Sequence, residues 1–130
     1  MNGRTFTLSV PFPVPLHACF VKSKGGTGIP SARYKAYRRD FAAAVTAQGA
    51  PKARGPVTVE VVLCAPDARV RDYGNLDKAL FDNLVHCGVI EDDSNRVVLA
   101  GTWAWMPDRP PCTVTVREVA PAMPEPVIPA

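Results

Sequence analysis

Segments with the two-residue period of a strand alternate along this chain with segments carrying the 3.6-residue stripe of a helix, and that order restricts the fold more than any other feature. Arg4–Val10 alternates strictly, with Phe6, Leu8 and Val10 on one face, so it reads as a half-buried strand. Pro11, Pro13 and Pro15 stop it, because proline cannot donate to a ladder. Ser31 suits the N-cap of a helix running to about Gln48, with Tyr34, Tyr37, Phe41, Ala44 and Val45 as its buried stripe and Gly49 just past its end. A second strand at Val57–Cys64 shares Val57, Val59, Val61 and Leu63 on one face. A second helix runs from about Asn75 to Cys87, with Leu76, Ala79, Leu80, Leu84 and Cys87 as its stripe and Gly88 as its stop. Strands at Arg96–Trp105 and Cys112–Val119, joined by the turn-rich MPDRPP, complete the set.

The predicted order is therefore β-α-β-α-β-β, an α+β fold. A small mixed four-stranded sheet with two helices packed on it is the simplest arrangement that buries every stripe. At 130 residues one domain is expected, over residues 1–119, followed by a proline-rich tail at 120–130 that cannot build a core and is expected to be disordered. Lys22–Pro30 (KSKGGTGIP) reads as a flexible basic loop.

No apolar run approaches the ~18 residues that span a bilayer, and the first ten residues alternate rather than form a signal peptide's apolar region. A cytoplasmic protein without a membrane partner is expected. Cys19, Cys64, Cys87 and Cys112 are widely spaced in apolar segments and read as free thiols. A zinc site built on His17 and Cys19 would lack a second ligand pair.

Charge divides the chain. Residues 1–55 carry nine Lys/Arg against one acid, and residues 56–130 carry six against eleven. A basic half suits a polyanion, and an acidic half suits cations. Lys22, Lys24, Arg33, Lys35, Arg38 and Arg39 are the candidate phosphate contacts of the basic half. The acids gather in two segments: RVRDYGNLDKALFDNL (69–84) sets Asp72 before the second helix and Lys78 in its first turn, and GVIEDDSNRV (88–97) sets Glu91, Asp92 and Asp93 in the turn after it. Folding the next strand back onto the sheet would carry Asp93 towards Asp72. Carboxylates converging from separate segments need a cation between them, and oxygen ligands favour Mg²⁺ or Mn²⁺. With a lysine to offset charge building on a phosphate, the pattern points to phosphodiester hydrolysis on nucleic acid. The plainer alternatives are a carboxylate favouring a helix N-terminus at Asp72, a solvated turn at EDDSN and a surface pair at Lys78 and Asp82.

Asp72, Asn75, Leu76, Lys78, Asp82 and Leu84, followed by Gly88 and then Asp92, Asp93 and Ser94, resemble the motif of the RusA family of Holliday-junction resolvases. The proline-bearing loop after the first strand and the basic, tyrosine-containing first helix resemble that family too. The resemblance implies a homodimeric, Mg²⁺-dependent endonuclease, with Mn²⁺ as a substitute, that resolves four-way DNA junctions by paired nicks. Many such proteins come from phages and prophages, and the setting implied is cytoplasmic, at the nucleoid. It implies catalytic roles for Asp72, Lys78 and Asp93. Asp72 and Asp93 correspond to metal ligands, with Asp92 a less direct neighbour, and Arg69 and Arg71 beside Asp72 join the DNA-binding set. The family pattern is D-x-D-N, whereas this chain has Asp72-Tyr73-Gly74-Asn75, so the second aspartate is missing. Asp77 stands close enough in sequence to compensate, although a charge in a helix's first turn has its own rationale. The alternative function is a branched-DNA-binding protein on the same fold with weakened or lost cleavage. A third reading is an unrelated α+β interaction domain with an acidic surface turn. Trp103 and Trp105, on one strand face, read as core or dimer-interface residues.

Overall fold

The computed structural model describes residues 3–23, 25–26 and 28–119. In chain order the strands and helices are β1 (Thr5–Val10), β2 (Phe20–Lys22), β3 (Gly28–Pro30), α1 (Ala32–Ala47), β4 (Val57–Leu63), α2 (Asp77–His86), β5 (Val98–Trp105) and β6 (Cys112–Glu118). The main sheet runs β1-β6-β4-β5. β6 is antiparallel to both β1 and β4, whereas β4 and β5 are parallel, joined by the crossover through α2. The mixed four-stranded sheet with two helices is as expected from the alternating periods.

The core lies between the helices and one face of the sheet. Val57, Val59, Val61 and Leu63 of β4 and Cys112, Val114 and Val116 of β6 are buried, while the residues between them stay at least partly accessible. That period of two identifies a sheet with one covered face. Tyr34, Tyr37 and Phe41 of α1 and Ala79, Leu80 and Leu84 of α2 close the other side. Each fully buried large apolar side chain contributes about 1.5–3 kcal/mol. Asn83 is the buried polar residue of this layer among those described; its Nδ2 donates to the Tyr34 hydroxyl at 3.3 Å and to the Ala79 carbonyl at 2.7 Å, tying α2 to α1.

Ser31 caps α1 as expected: its Oγ accepts from the Tyr34 N–H at 3.0 Å and donates to the Ala18 carbonyl at 2.6 Å. Gly49 (φ 59°) and Gly88 (φ 74°) follow the two helices in the left-handed conformation that only glycine adopts freely. Three features differ from the reading above by more than a single terminal residue. The expected loop at 22–30 holds a short hairpin, β2 pairing antiparallel with β3, because Phe20–Lys22 and Gly28–Pro30 are extended enough to bond despite the glycines between them. The second helix opens two residues later than expected, since Tyr73–Asn75 form a separate 3₁₀ turn held by Asp72. β5 begins at Val98 rather than Arg96.

The ends of the sheet are tied by Glu118, which accepts from the Arg4 N–H, the Arg4 guanidinium and the Arg54 N–H. Among the described residues no helix is long and apolar enough to cross a membrane. The four cysteines are free thiols, with burial raising the Cys112 thiol to about 12. The tail at 120–130 lies outside the described residues.

Candidate active site

β4 delivers the chain into the loop that follows Leu63, and Asp72 ends that loop at the mouth of a groove. The groove encloses about 530 Å³ and is lined by Phe12 and His17 from the proline-bearing segment, Arg33 from α1, Asp67 and the run from Arg69 to Asp72, and Asn75 and Leu76. The segments around residues 12–17, 33 and 66–76 are distant in sequence, so only the folded sheet brings them together.

Asp72 is exposed and extended (φ −119°, ψ 122°). Its Oδ1 accepts from the Gly74 N–H at 3.1 Å, and its carbonyl accepts from the Asn75 N–H at 3.0 Å. This is the side-chain-to-backbone turn that aspartate makes two residues ahead. A Cβ at position 74 would meet Asp72 Oδ1 at 3.6 Å, an ordinary contact, so the missing second carboxylate leaves open room rather than a packed position.

Lys78 is held by Asp82 one turn along α2, Nζ to Oδ2 at 3.1 Å. That hydrogen bond raises the Lys78 ammonium above its ordinary range, with the Asp93 charge among the smaller contributors. Asp93 therefore lies near enough for its charge to be felt at Lys78. Asp92 Oδ1 accepts from the Asp93 N–H at 2.9 Å, so this acidic turn is also closed on its own backbone. Asp77, half-buried in the first turn of α2, stands beside Tyr73, whose hydroxyl is pushed up by burial first and by the Asp77 charge second.

Among the described residues no group of three or more His, Cys, Asp or Glu side chains is placed to hold a metal ion. Asp72 and Asp92 each accept a hydrogen bond from a backbone N–H of their own segment, which leaves most of each carboxylate's acceptor capacity unused. The donor chemistry still suits a hard cation, because Asp72, Asp92 and Asp93 are exposed and, among the described residues, form no ion pair within 4.0 Å.

The basic residues separate by what they already touch. Arg69 and Arg71 both pair with Asp67, at 2.9 and 3.0 Å, and the Arg69 hydrogen bonds hold that carboxyl far below its usual range. Arg71 is committed to the fold: its side chain is 17% exposed and its guanidinium lies 5.5 Å from the centre of the Phe12 ring. Arg69, at 81% exposed, remains available to a ligand. Arg33 faces the groove. Arg38 lies over the Tyr34 ring and beside His86, and Arg39 pairs with Asp40. Lys22 and Lys35 are exposed, and Lys24 lies outside the described residues. Sequence reasoning missed Phe12, His17 and Asp67 as parts of this wall; the prolines around Phe12 were the available sign that the segment is shaped rather than free.

A sequence model of the family described as Endodeoxyribonuclease RusA matches residues 11–117. Crossover junction endodeoxyribonuclease RusA of Escherichia coli (strain K12) is 32% identical over 96 residues, covering 72% of this chain and 78% of that protein. The proteins of the same description from Enterobacteria phage 82 and Enterobacteria phage HK97 are 33% and 30% identical, covering 78% and 76% of their lengths and 72% of this chain in each case.

Proposed function

From its membership of the RusA family, to which this chain belongs, we propose that the protein is an endodeoxyribonuclease that resolves four-way DNA junctions. The observation that carries the reading is the juxtaposition on one groove of Arg33, Arg69 and an exposed Asp72 that, among the described residues, forms no ion pair. A phosphodiester backbone laid along that groove meets cations on its walls and a carboxylate at its end.

In this reading Asp72 and Asp93 would hold Mg²⁺, or Mn²⁺ in its place, with Asp92 supporting and Asp77 compensating for the absent second aspartate. When bound, such an ion would supply Lewis-acid chemistry at a phosphate oxygen and make a water easier to deprotonate. Lys78, kept protonated by Asp82, offsets the charge that builds on the phosphoryl oxygens. Arg33, Lys35, Arg38, Arg39 and Lys22, with Lys24, Arg69 and Arg71, make the phosphate-binding surface; Arg71 acts chiefly by fixing the loop that carries Asp72. Residues 1–119 serve as one nuclease domain, acting on cytoplasmic, nucleoid DNA. Two symmetric nicks call for two active sites, which a C₂ homodimer supplies.

Gly74 supports a second reading, a junction-binding protein in which cleavage is weak or lost. The deciding experiment is incubation of a synthetic mobile four-way junction, against linear duplex, with Mg²⁺, Mn²⁺ or EDTA. Symmetric nicks in the junction alone, absent in EDTA and with Asp93→Asn, are expected. Tight binding without nicks, with cleavage gained on Gly74→Asp, would establish the second reading. No salt-sensitive binding at all would refute both.

A further inference from the structure

The two outer strands of the sheet end very differently. At β1 the free edge is blocked: the Gln48 side chain accepts from the Ser9 N–H and donates to the Ser9 carbonyl, each at 2.7 Å, so an amide takes the place of a neighbouring strand. Pro11, Pro13 and Pro15 then end the edge. At β5, the opposite edge, no equivalent side-chain hydrogen bond is found among the described residues. Its eight residues, VLAGTWAW, include no charge and no proline, and six of them are exposed. The ladder with β4 is irregular only at its start, and from Ala100 to Trp105 it runs in unbroken register. Long, flat, uncharged edges are what soluble chains ordinarily blunt, with lysine, proline or a covering segment.

Two residues on this edge are only partly accounted for by the single chain. Trp103 stacks on Tyr73, ring centroids 5.0 Å apart, yet it stays 52% exposed, although its face of the strand is continuous with the buried valines of β4. Gly101 interrupts the strand with no reason inside the subunit. Its φ is not in the left-handed region, and a Cβ there would meet only the Val59 carbonyl oxygen, at 3.7 Å. Glycine in a strand without a local cause marks a place where another chain or an aromatic ring comes close.

We propose that the free edge of β5 is the seam of the homodimer, pairing antiparallel with β5 of a second copy across a two-fold axis at Thr102. The proposal rests on the dimeric reading given above and adds where the copies join. A two-fold perpendicular to the sheet keeps like faces together and sets one residue opposite itself. With Thr102 at the centre, Ala100 lies opposite the partner's Ala104. Gly101 lies opposite the partner's Trp103, twice over, so each half-exposed indole covers a glycine of the other copy. The strand's neutrality means that no like charges meet across the seam.

Light scattering and sedimentation at micromolar concentration test the seam on the full chain. Wild type is expected at about twice 14.0 kDa. Ala100→Lys with Ala104→Lys sets lysines opposite each other twice and is expected to give the 14.0 kDa monomer. Ala100→Lys with Ala104→Glu sets opposite charges together and is expected to remain dimeric; both positions are exposed, so it also controls for folding. Thr102→Cys faces its own copy at a Cα separation of about 4.5–5.5 Å, within disulfide range, and is expected to give a covalent dimer on mild oxidation that wild type does not. A monomeric wild type overturns the homodimer reading and the seam together. A dimeric wild type whose lysine pair stays dimeric and whose Thr102→Cys variant does not cross-link overturns the seam alone.

Discussion

Gly74→Asp is the perturbation whose outcome the geometry determines most directly. The new Cβ would lie 3.6 Å from Asp72 Oδ1 and meet nothing else within 4 Å, so the added carboxylate has room to turn to a separation of ~4 Å from the existing one. Both positions are exposed, so the water-like limit applies, and two like unit charges at ~4 Å cost about 1 kcal/mol. Replacing a glycine whose φ is outside the left-handed region also removes unfolded-state freedom, worth about 0.4–1 kcal/mol in the stabilising direction. The two effects nearly cancel, and the apo variant should melt within a few degrees of wild type. Magnesium breaks the cancellation. A divalent ion at the same distance attracts the new carboxylate by about 2 kcal/mol; the repulsion between the carboxylates is present with and without metal, so the whole attraction appears as affinity, roughly thirtyfold. For a chain of this size that corresponds to about 8 °C of extra Mg²⁺-dependent stabilisation at saturating metal. Calorimetric melts of both proteins in EDTA and across a Mg²⁺ series would measure it. The unfolded-state contribution is the same with and without metal, so it drops out of the difference. Equal Mg²⁺ shifts in both proteins would refute the assignment of Asp72 and position 74 to one cation site, whatever the cleavage assay shows.

Three further outcomes are expected. Lys78→Ala should lower junction cleavage by about 10²–10³-fold while gel-shift affinity for the junction changes little, because the residue acts on charge that develops in the transition state. Arg71→Ala should cost about 1–3 kcal/mol in urea unfolding, having lost its Asp67 pair and its packing on Phe12, whereas Arg69→Ala, 81% exposed, should stay within about 0.5 kcal/mol and instead weaken DNA binding. Glu118, held down to about 2 by the Arg4 hydrogen bonds first, contributes stability that is complete above its unfolded value of 4.5 and lost as pH falls towards 2; Glu118→Gln should flatten the acid limb of stability in that window, read from urea midpoints at each pH.

The sheet and helices were legible because the fold covers only one face of the sheet. That leaves every second residue of β4 and β6 accessible and writes the strands into the sequence as alternation. Glycines in the left-handed conformation after α1 and α2 fixed the helix ends as well. The β2–β3 hairpin was hidden for the opposite reason: its strands are three residues long, Phe20, Val21 and Ile29 are all exposed, and no burial pattern survives. The 3₁₀ turn at Tyr73–Asn75 was hidden because a side-chain bond from Asp72, not an apolar stripe, creates it.

At the candidate site the sequence shows which residues are present but not what each is already bonded to. Arg69 and Arg71 are equivalent as letters, and both pair with Asp67, yet the Phe12 ring makes the second a strut while the first stays 81% exposed. Gly74 works the other way. As a letter it marks the missing second aspartate and does not say whether a turn before a helix requires glycine there. The turn needs no such thing: Gly74 is not in the left-handed region, a side chain there has room, and the hydrogen bond holding the turn comes from Asp72 to the backbone N–H, which any residue but proline supplies. The glycine is therefore not explained by conformation, and what distinguishes position 74 is the charge it lacks. A deficit of that kind is chemical and local, and a single added carboxylate is enough to reverse it.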